Sequence, residues 1–235
     1  MTRARWMMHG VLDADAPSSP ILAPRLRQLR AGGLRALVSP APRPAAPPAQ
    51  RENLERAALA HHAMLCAVSR ESDVLPFRFG QGFLSVTGAW KTLEAHAPNW
   101  RRRIAALSGT LEFCCRLEAP LGPTEDDPNP TATGRAYLSA ALERRSRRAS
   151  KAAVLQDAAG NVAALLERRG LHCRQLTGES GVPRFDILVG RAGARDLRYH
   201  LEQEATRWAA HGVALHVAGP WPPYSFVAIA EHAHA

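Results

Sequence analysis

Residues 184–219, RFDILVGRAGARDLRYHLEQEATRWAAHGVALHVAG, decide the fold class because a strand, a helix and a second strand follow one another there. The apolar run at 185–189 predicts the first strand. The buried face of the helix is expected to carry four residues at helical spacing, Leu197, Leu201, Ala205 and Trp208. Gly212 stands where helices favour a left-handed cap, and the run at 213–218 predicts the next strand.

The region before this stretch adds a long helix and one more strand. Residues 134–169 are predicted to form a helical tract interrupted near Gly160, and residues 171–176 a strand. The order helix-strand-strand-helix-strand is typical of an antiparallel sheet with helices on one face. We therefore expect a C-terminal α+β domain over residues 133–235, related to ferredoxin-like folds and led by a long helix.

The first half of the chain is also predicted to mix strands with helices. Strands are expected at residues 5–12, 34–38, 74–80 and 110–118. One amphipathic helix is expected to present a stripe of Leu54, Ala58, His61, Leu65 and Val68. Further helices are predicted within residues 13–30 and over residues 89–107, the latter broken near Pro98. These elements predict an N-terminal α+β domain over residues 1–118.

Residues 119–132 differ in character from both halves. They are polar and rich in proline, and they include the acidic run Glu125, Asp126 and Asp127. Such composition is typical of an interdomain linker. We therefore expect this segment to join the two domains.

Composition limits the classes of function. The chain has 235 residues, 46% of them hydrophobic, and a formal net charge of +9. Its apolar runs are far shorter than the ~20 residues that span a bilayer, so we expect a cytoplasmic protein without membrane segments. The positive charge favours contact with acidic surfaces, and a basic nucleic-acid-binding module is the alternative function that it leaves open.

No catalytic constellation with usable spacing is found in the sequence. It contains neither a glycine-rich phosphate loop nor a nucleophile elbow. His61 lies on the apolar stripe of its predicted helix, where a hydrogen-bonded core histidine is expected, and its neighbour His62 must diverge from it. We therefore predict a protein that is not an enzyme and that needs no cofactor or metal.

Two aromatic motifs stand out instead. The first is Phe77, Arg78, Phe79 and Gly80, in which Arg78 is expected to pair with a carboxylate, Glu112 being a candidate. The second is the tail motif Pro220, Trp221, Pro222, Pro223, Tyr224 and Phe226. Its prolines fix φ and remove backbone donors, so its aromatic side chains are expected to project from a stiff ribbon. That ribbon is either a plug that closes the core of the second domain or a protein-binding edge.

A cluster of arginines marks the middle of the long helix in the second half. It consists of Arg144, Arg145, Arg147 and Arg148. A solvated helix face explains such a cluster, and a docking surface for an acidic partner is the functional alternative.

Together these motifs resemble the gas vesicle protein family GvpL/GvpF. The resemblance is carried by LPFRFG at residues 75–80, GRAYL at residues 134–138 and GPWPPYSF at residues 219–226, in that order. It extends from about Arg5 to Val227. The first strand departs from the family pattern, because it lacks a tyrosine-rich opening.

The resemblance implies a minor gas vesicle component needed to assemble the gas-filled protein shell in the cytoplasm. It implies two α+β domains, the N-terminal one a modified ferredoxin-like fold with an antiparallel sheet. It also implies contact with the hydrophobic shell protein GvpA and with accessory Gvp proteins, and it brings no catalytic residues. Such a shell subunit is apolar enough to aggregate before it polymerises, so a soluble partner with sheet edges and aromatic anchors is a plausible holder.

Overall fold

The computed structural model describes residues 5–17, 26–42, 49–119, 134–177 and 182–227. In chain order, the helices and strands are β1 Trp6–Asp13, β2 Arg27–Ala31, β3 Leu34–Pro40, α1 Ala49–Ser69, β4 Leu75–Pro76, β5 Gly82–Phe83, α2 Val86–Ala106, β6 Thr110–Glu118, α3 Arg135–Arg168, β7 His172–Thr177, β8 Pro183–Gly190, α4 Ala194–Ala209 and β9 Ala214–Trp221. The fold is mixed α+β with antiparallel strand pairs, as the sequence predicts.

The chain forms two compact units. The first holds the chain up to Glu112 together with the chain from Pro220 onward, and the second holds Phe113–Gly219. This division differs from the predicted domains at 1–118 and 133–235, because the proline-aromatic tail belongs to the first unit and most of β6 to the second. Residues 120–132 of the predicted linker lie outside the described residues.

The first unit is built on a sheet with strand order β2-β3-β1-β4, in which β5 also pairs with β1. The central strand β1 is buried from Met7 to Leu12, as expected for a strand that is covered on both faces. Its register with β3 shifts between Met8 and Gly10, which leaves His9 as the extra residue of a bulge. Bulges re-aim side chains, and this one directs His9 toward the residues described below.

Three expectations for the first unit are wrong. Of the strand expected at residues 74–80, only Leu75–Pro76 forms a strand, β4. Residues 27–31 form the edge strand β2 rather than the end of a helix, because they pair with β3. Helix α2 runs through Pro98 without a break. A proline removes one backbone donor, and the buried stripe Ala89, Leu93, Ala97, Trp100 and Ile104 holds the helix together across it.

The second unit contains the order β6-α3-β7-β8-α4-β9, with strand order β7-β8-β6-β9 in its sheet. This is the strand-helix-strand-strand-helix-strand order of ferredoxin-like folds. Helix α3 continues through Gly160, so the predicted interruption is wrong. Gly212 has φ +72° and ends the turn after α4, as predicted.

Buried apolar side chains from β6, α3, β8, α4 and β9 form the core of the second unit, whereas β7 has none that is buried. The largest that are fully buried include Phe113, Phe185, Leu117 and Leu166. Helix α4 faces this core with Leu197, Leu201 and Trp208, the positions predicted from their spacing.

Among the helices of the described part of the chain, none has both the length and the apolar character needed to span a bilayer.

Candidate partner-binding site

The tail motif begins at the end of strand β9 and folds into a turn after Trp221. The Tyr224 amide donates to the carbonyl of Pro222 at 2.8 Å, and the Phe226 amide donates to the carbonyl of Pro223 at 3.2 Å. Pro222 and Pro223 are buried, and Phe226 is only 1% exposed. The expectation that all three aromatic rings project is therefore wrong for Phe226, because the two short hydrogen-bonded turns carry its ring inward.

The tail packs on helix α1 of the first unit. The rings of Trp221 and His62 meet edge to face with centroids 5.5 Å apart, and the Tyr224 ring lies 5.9 Å from the same imidazole. Tyr224 also packs against a buried apolar cluster formed by Leu12, Leu37, Leu65, Val68 and Val74. Burial raises the pKa of the Tyr224 hydroxyl, so it stays protonated. These contacts pack the tail on the first unit, whereas the plug expected from the sequence was on the second.

A buried carboxylate fixes the tail at its next residue. Glu112 is 2% exposed, and its two oxygens accept hydrogen bonds of 2.8 Å each from the backbone amide and the hydroxyl of Ser225. A charge-assisted pair of this kind is among the stronger hydrogen-bond arrangements in proteins. Arg78 is exposed, and the structure joins Glu112 to Ser225 where the sequence predicted a pairing with Arg78.

The segment Phe77–Gly80 is held by β1 and both helices of the first unit. The Phe77 amide donates to the carbonyl of His9 at 2.9 Å, and the Phe77 ring meets Trp100 edge to face at 5.1 Å. The Phe79 ring contacts His61 edge to face at 5.7 Å. Gly80 has φ +94° and lies in a turn, and Arg78 is exposed.

A chain of polar side chains runs beneath this segment. His9 and His61 are each 5% exposed and their Nδ1 atoms lie 2.8 Å apart. The far nitrogen of His9 lies 2.9 Å from Ser39 Oγ, and the far nitrogen of His61 lies 3.1 Å from the carbonyl of Phe77. His61 is thus the hydrogen-bonded core histidine that the sequence predicts.

Burial sets the charge of the two imidazoles. Burial, with a smaller contribution from His61, lowers the pKa of His9 from 6.5 to about 4. Burial also lowers the pKa of His61, against the opposing effect of the Phe77 carbonyl. Both rings are therefore neutral near pH 7, which lets one donate to the other.

A cysteine and a histidine also meet on α1. Cys66 Sγ lies 3.4 Å from His62 Nε2, one helical turn away. Burial raises the pKa of the Cys66 thiol, which disfavours the thiolate that a nucleophile needs. The contact is better explained as packing beneath the tail than as an activated cysteine.

The arginine cluster lies on α3, in the second unit. Arg145, Arg147 and Arg148 are exposed and Arg144 is half-buried. Arg147 pairs with Glu143 on the same helix at 3.2 Å, where both side chains are more than half exposed. An exposed pair of this kind is worth little to stability.

The structure thus brings together two motifs that are 140 residues apart in sequence. The segment Phe77–Gly80 contacts His61, and the tail contacts His62, so consecutive residues of α1 hold the two motifs. Sequence reasoning missed His9 and the role of Glu112. The local signal for His9 was a histidine inside an otherwise apolar strand. Glu112 alternates onto the same side of its strand as Arg116 and Glu118, so no local pattern marked it as buried.

Comparison with known proteins assigns these motifs to a family. The profile of the family described as gas vesicle synthesis protein GvpL/GvpF matches residues 9–228, nearly the whole chain. The chain belongs to the GvpL/GvpF family. This membership gives it a role in gas vesicles, and the match spans all the aromatic motifs described above.

Individual relatives agree with that assignment. The chain is 30% identical over 191 residues to gas vesicle protein L from a Streptomyces species, covering 76% of this chain and 71% of the relative. Its fold is similar to the crystal structure of GvpF from Microcystis aeruginosa, with a TM-score of 0.69, 13% identity and coverage of 96% and 99% of the two chains. GvpF from Anabaena gives a TM-score of 0.62 at 13% identity, covering 96% of each chain.

Proposed function

We propose that this GvpL/GvpF family member is an assembly protein of the gas vesicle shell that binds the hydrophobic shell subunit GvpA and accessory Gvp proteins. In this proposal the protein holds shell subunits through exposed apolar side chains and performs no chemistry on them. It acts where gas vesicles are built, in the cytoplasm.

The observation that carries the proposal is the exposed first half of α1. From Arg51 to Ala60 no described side chain of this helix is buried, and burial begins at His61. Leu54 is 42% exposed and Leu59 is 71% exposed. A helix that presents large apolar side chains to solvent is suited to packing against an apolar partner.

The aromatic motifs supply a rigid base for that helix. The second half of α1 is fixed by His61 beneath Phe79 and by His62 beneath Trp221. A surface presented from a fixed element loses little conformational entropy when it binds. We therefore propose that Phe77–Gly80 and the tail are structural supports of the binding helix and that the partner contacts Leu54 and Leu59.

The test is recovery of the shell subunit with the tagged full-length protein after co-expression. We expect wild type to keep the shell subunit in the soluble fraction, and Leu54→Glu/Leu59→Glu to reduce its recovery at least fivefold. The matched control is Leu84→Glu, which changes a leucine of the same unit that is 56% exposed, and it is expected to retain recovery. Equal recovery with the α1 variant and with Leu84→Glu would contradict the proposal.

A further inference from the structure

No described side chain in the first two thirds of α3 is buried. Of the 34 residues in this helix, the buried ones begin at Ala158, and every side chain described between Arg135 and Asp157 is exposed or half-buried. The segment 135–157 is roughly 35 Å long at ~1.5 Å per residue. Helices in water gain most of their stability from packing an amphipathic face. Within the described chain this segment is covered only in part, on the side that carries the half-buried residues Ala140, Ala141, Arg144, Lys151, Val154 and Leu155.

One side of the segment is apolar. Tyr137, Leu138 and Leu142 are 47%, 63% and 67% exposed. At about 100° per residue they fall within an arc of roughly 140°, with Ala141 between them. This is the width of the face that a soluble helix normally buries.

The adjoining side is basic. Arg147, Arg144 and Arg148 fall within an arc of about 100° that overlaps the edge of the apolar arc, where Tyr137 lies between Arg144 and Arg148. Residues 135–157 contain six basic and two acidic residues, so this segment carries a large share of the net charge of +9. Arg145 lies inside the apolar arc, where its long stem can lie along apolar surface while the guanidinium reaches an acid.

We propose that residues 135–157 of α3 are the docking helix for an acidic amphipathic helix of another gas vesicle protein. The partner helix would bury Tyr137, Leu138 and Leu142 and place carboxylates opposite Arg144 and Arg147. This inference rests on the proposed assembly function, since it names the chemistry of one class of accessory partner.

Charge and shape favour an acidic amphipathic helix over a second copy of this chain, a lipid surface or a nucleic acid. A second copy of α3 would bring two arginine stripes together, and like charges at close range are destabilising. A lipid surface would require a broader apolar face than three large side chains provide. A nucleic acid would be held by the arginines alone and would leave the apolar arc uncovered. An acidic amphipathic helix can cover the apolar side chains at residues 137–142 and also pair with the arginines at residues 144–148.

Site-specific photo-crosslinking of the full-length protein tests the proposal. A benzophenone side chain replaces Leu142, or Leu84 as the matched control, and each variant is co-expressed with the shell subunit and accessory gas vesicle proteins of the same source. Residue 142 is expected to crosslink, at least fivefold above residue 84, to a helical segment of an accessory protein in which acids outnumber bases. Arg144→Glu/Arg147→Glu is expected to reduce that crosslink at least fivefold, whereas Arg101→Glu/Arg102→Glu, an equal charge change at exposed sites on α2, retains it.

The other outcomes overturn the inference. These are a crosslink to a second copy of this chain, to the shell subunit, to lipid or to nucleic acid, or a yield equal to that of residue 84. The shell-subunit recovery assay is run on the same Arg144→Glu/Arg147→Glu variant. If that variant loses the crosslink but still recovers the shell subunit, the arginines act in accessory-protein docking and not in shell-subunit binding. If wild type recovers the shell subunit but gives no crosslink at residue 142, this inference fails while the proposed function stands.

Discussion

The Nδ1 atoms of His9 and His61 lie 2.8 Å apart, so two buried imidazoles, one at a bulge in β1 and one on α1, share a hydrogen bond. This pair links the strand at the centre of the first sheet to the helix that we propose as the binding surface. Because the pair is nearly inaccessible to water, its neutral state is part of the folded structure.

The first prediction concerns pH. The pKa of His9 falls from 6.5 to about 4 on folding, so the unfolded chain binds more protons between these values. The contribution of neutral His9 to the free energy of unfolding should therefore be fully present above about pH 6.5. It should be lost as the pH drops toward 4, which lowers the free energy of unfolding by on the order of 3 kcal/mol. Urea unfolding at pH 7 and at pH 4.5, followed by tryptophan fluorescence, measures the change. Four of the five tryptophans, Trp6, Trp90, Trp100 and Trp221, belong to the first unit.

The matched variants of this prediction are His9→Gln and His96→Gln. His9→Gln should reduce the pH dependence of the free energy of unfolding by more than half. His96→Gln should leave that dependence unchanged, because His96 is exposed in the same unit. An unchanged pH dependence in His9→Gln would refute the assignment of the effect to this pair.

The second prediction concerns the tail as a plug. Phe226→Ala should lower the free energy of unfolding of the first unit by about 3–5 kcal/mol, because it removes a fully buried ring. Trp221→Ala should cost less, since this ring is only half-buried, and Pro220→Ala should change stability by at most about 0.5 kcal/mol because Pro220 is exposed. Urea unfolding compares the three. If Phe226→Ala matched Pro220→Ala in stability, the tail would not be a plug.

The third prediction concerns the contact between Glu112 and Ser225. Ser225→Ala should destabilise the first unit by about 1–3 kcal/mol, because it removes a hydrogen bond to a buried carboxylate and leaves that oxygen without its hydroxyl donor. Ser225→Thr keeps the hydroxyl and should recover most of the loss. Thermal unfolding of both variants checks this, and a Thr variant no better than Ala would show that the hydroxyl is not the stabilising group.

The fourth prediction contrasts two glycines. Gly160 lies inside α3 with open space where a Cβ would be, so Gly160→Ala should stabilise the second unit by about 0.5–1 kcal/mol. Gly32 has φ +56° and a Cβ there would lie 2.4 Å from that of Ala97, so Gly32→Ala should destabilise the first unit by at least about 2 kcal/mol. Unfolding followed by circular dichroism should give opposite signs, and equal signs would contradict these backbone assignments.

Local patterns predicted those elements whose own residues supply the packing. The strand at 110–118 matches β6 because its alternating side chains reach a core on one face. The stripe of α4 was predicted for the same reason. Local breakers were misleading at Pro98 and Gly160. Helix α2 is held by packing from Ala89 to Ile104, and α3 is packed on both sides of Gly160, from Ala158 to Leu166. Residues 27–31 form a strand because they pair with β3. The spacing of leucines within residues 13–30 predicted a helix, and it contains no information on pairing with another strand.

The site depended on contacts that no local pattern encodes. Ser225 and Glu112 are separated by 113 residues, and His9 and His61 by 52. The prolines and aromatic residues identified the tail as distinctive. Their sequence pattern does not indicate which of the two units the tail packs against. Periodicity gave the position of His61 on α1, whereas the bulge that turns His9 toward it requires the sheet register.

The yield of gas vesicles in the source organism tests the central claim most directly. It should be compared in cells with this gene intact, deleted, and restored as either wild type or Leu54→Glu/Leu59→Glu, with intact vesicles counted by electron microscopy. Our account predicts that vesicles disappear on deletion, return with wild type and do not return with the α1 variant. Normal vesicle numbers in the deletion strain would contradict it.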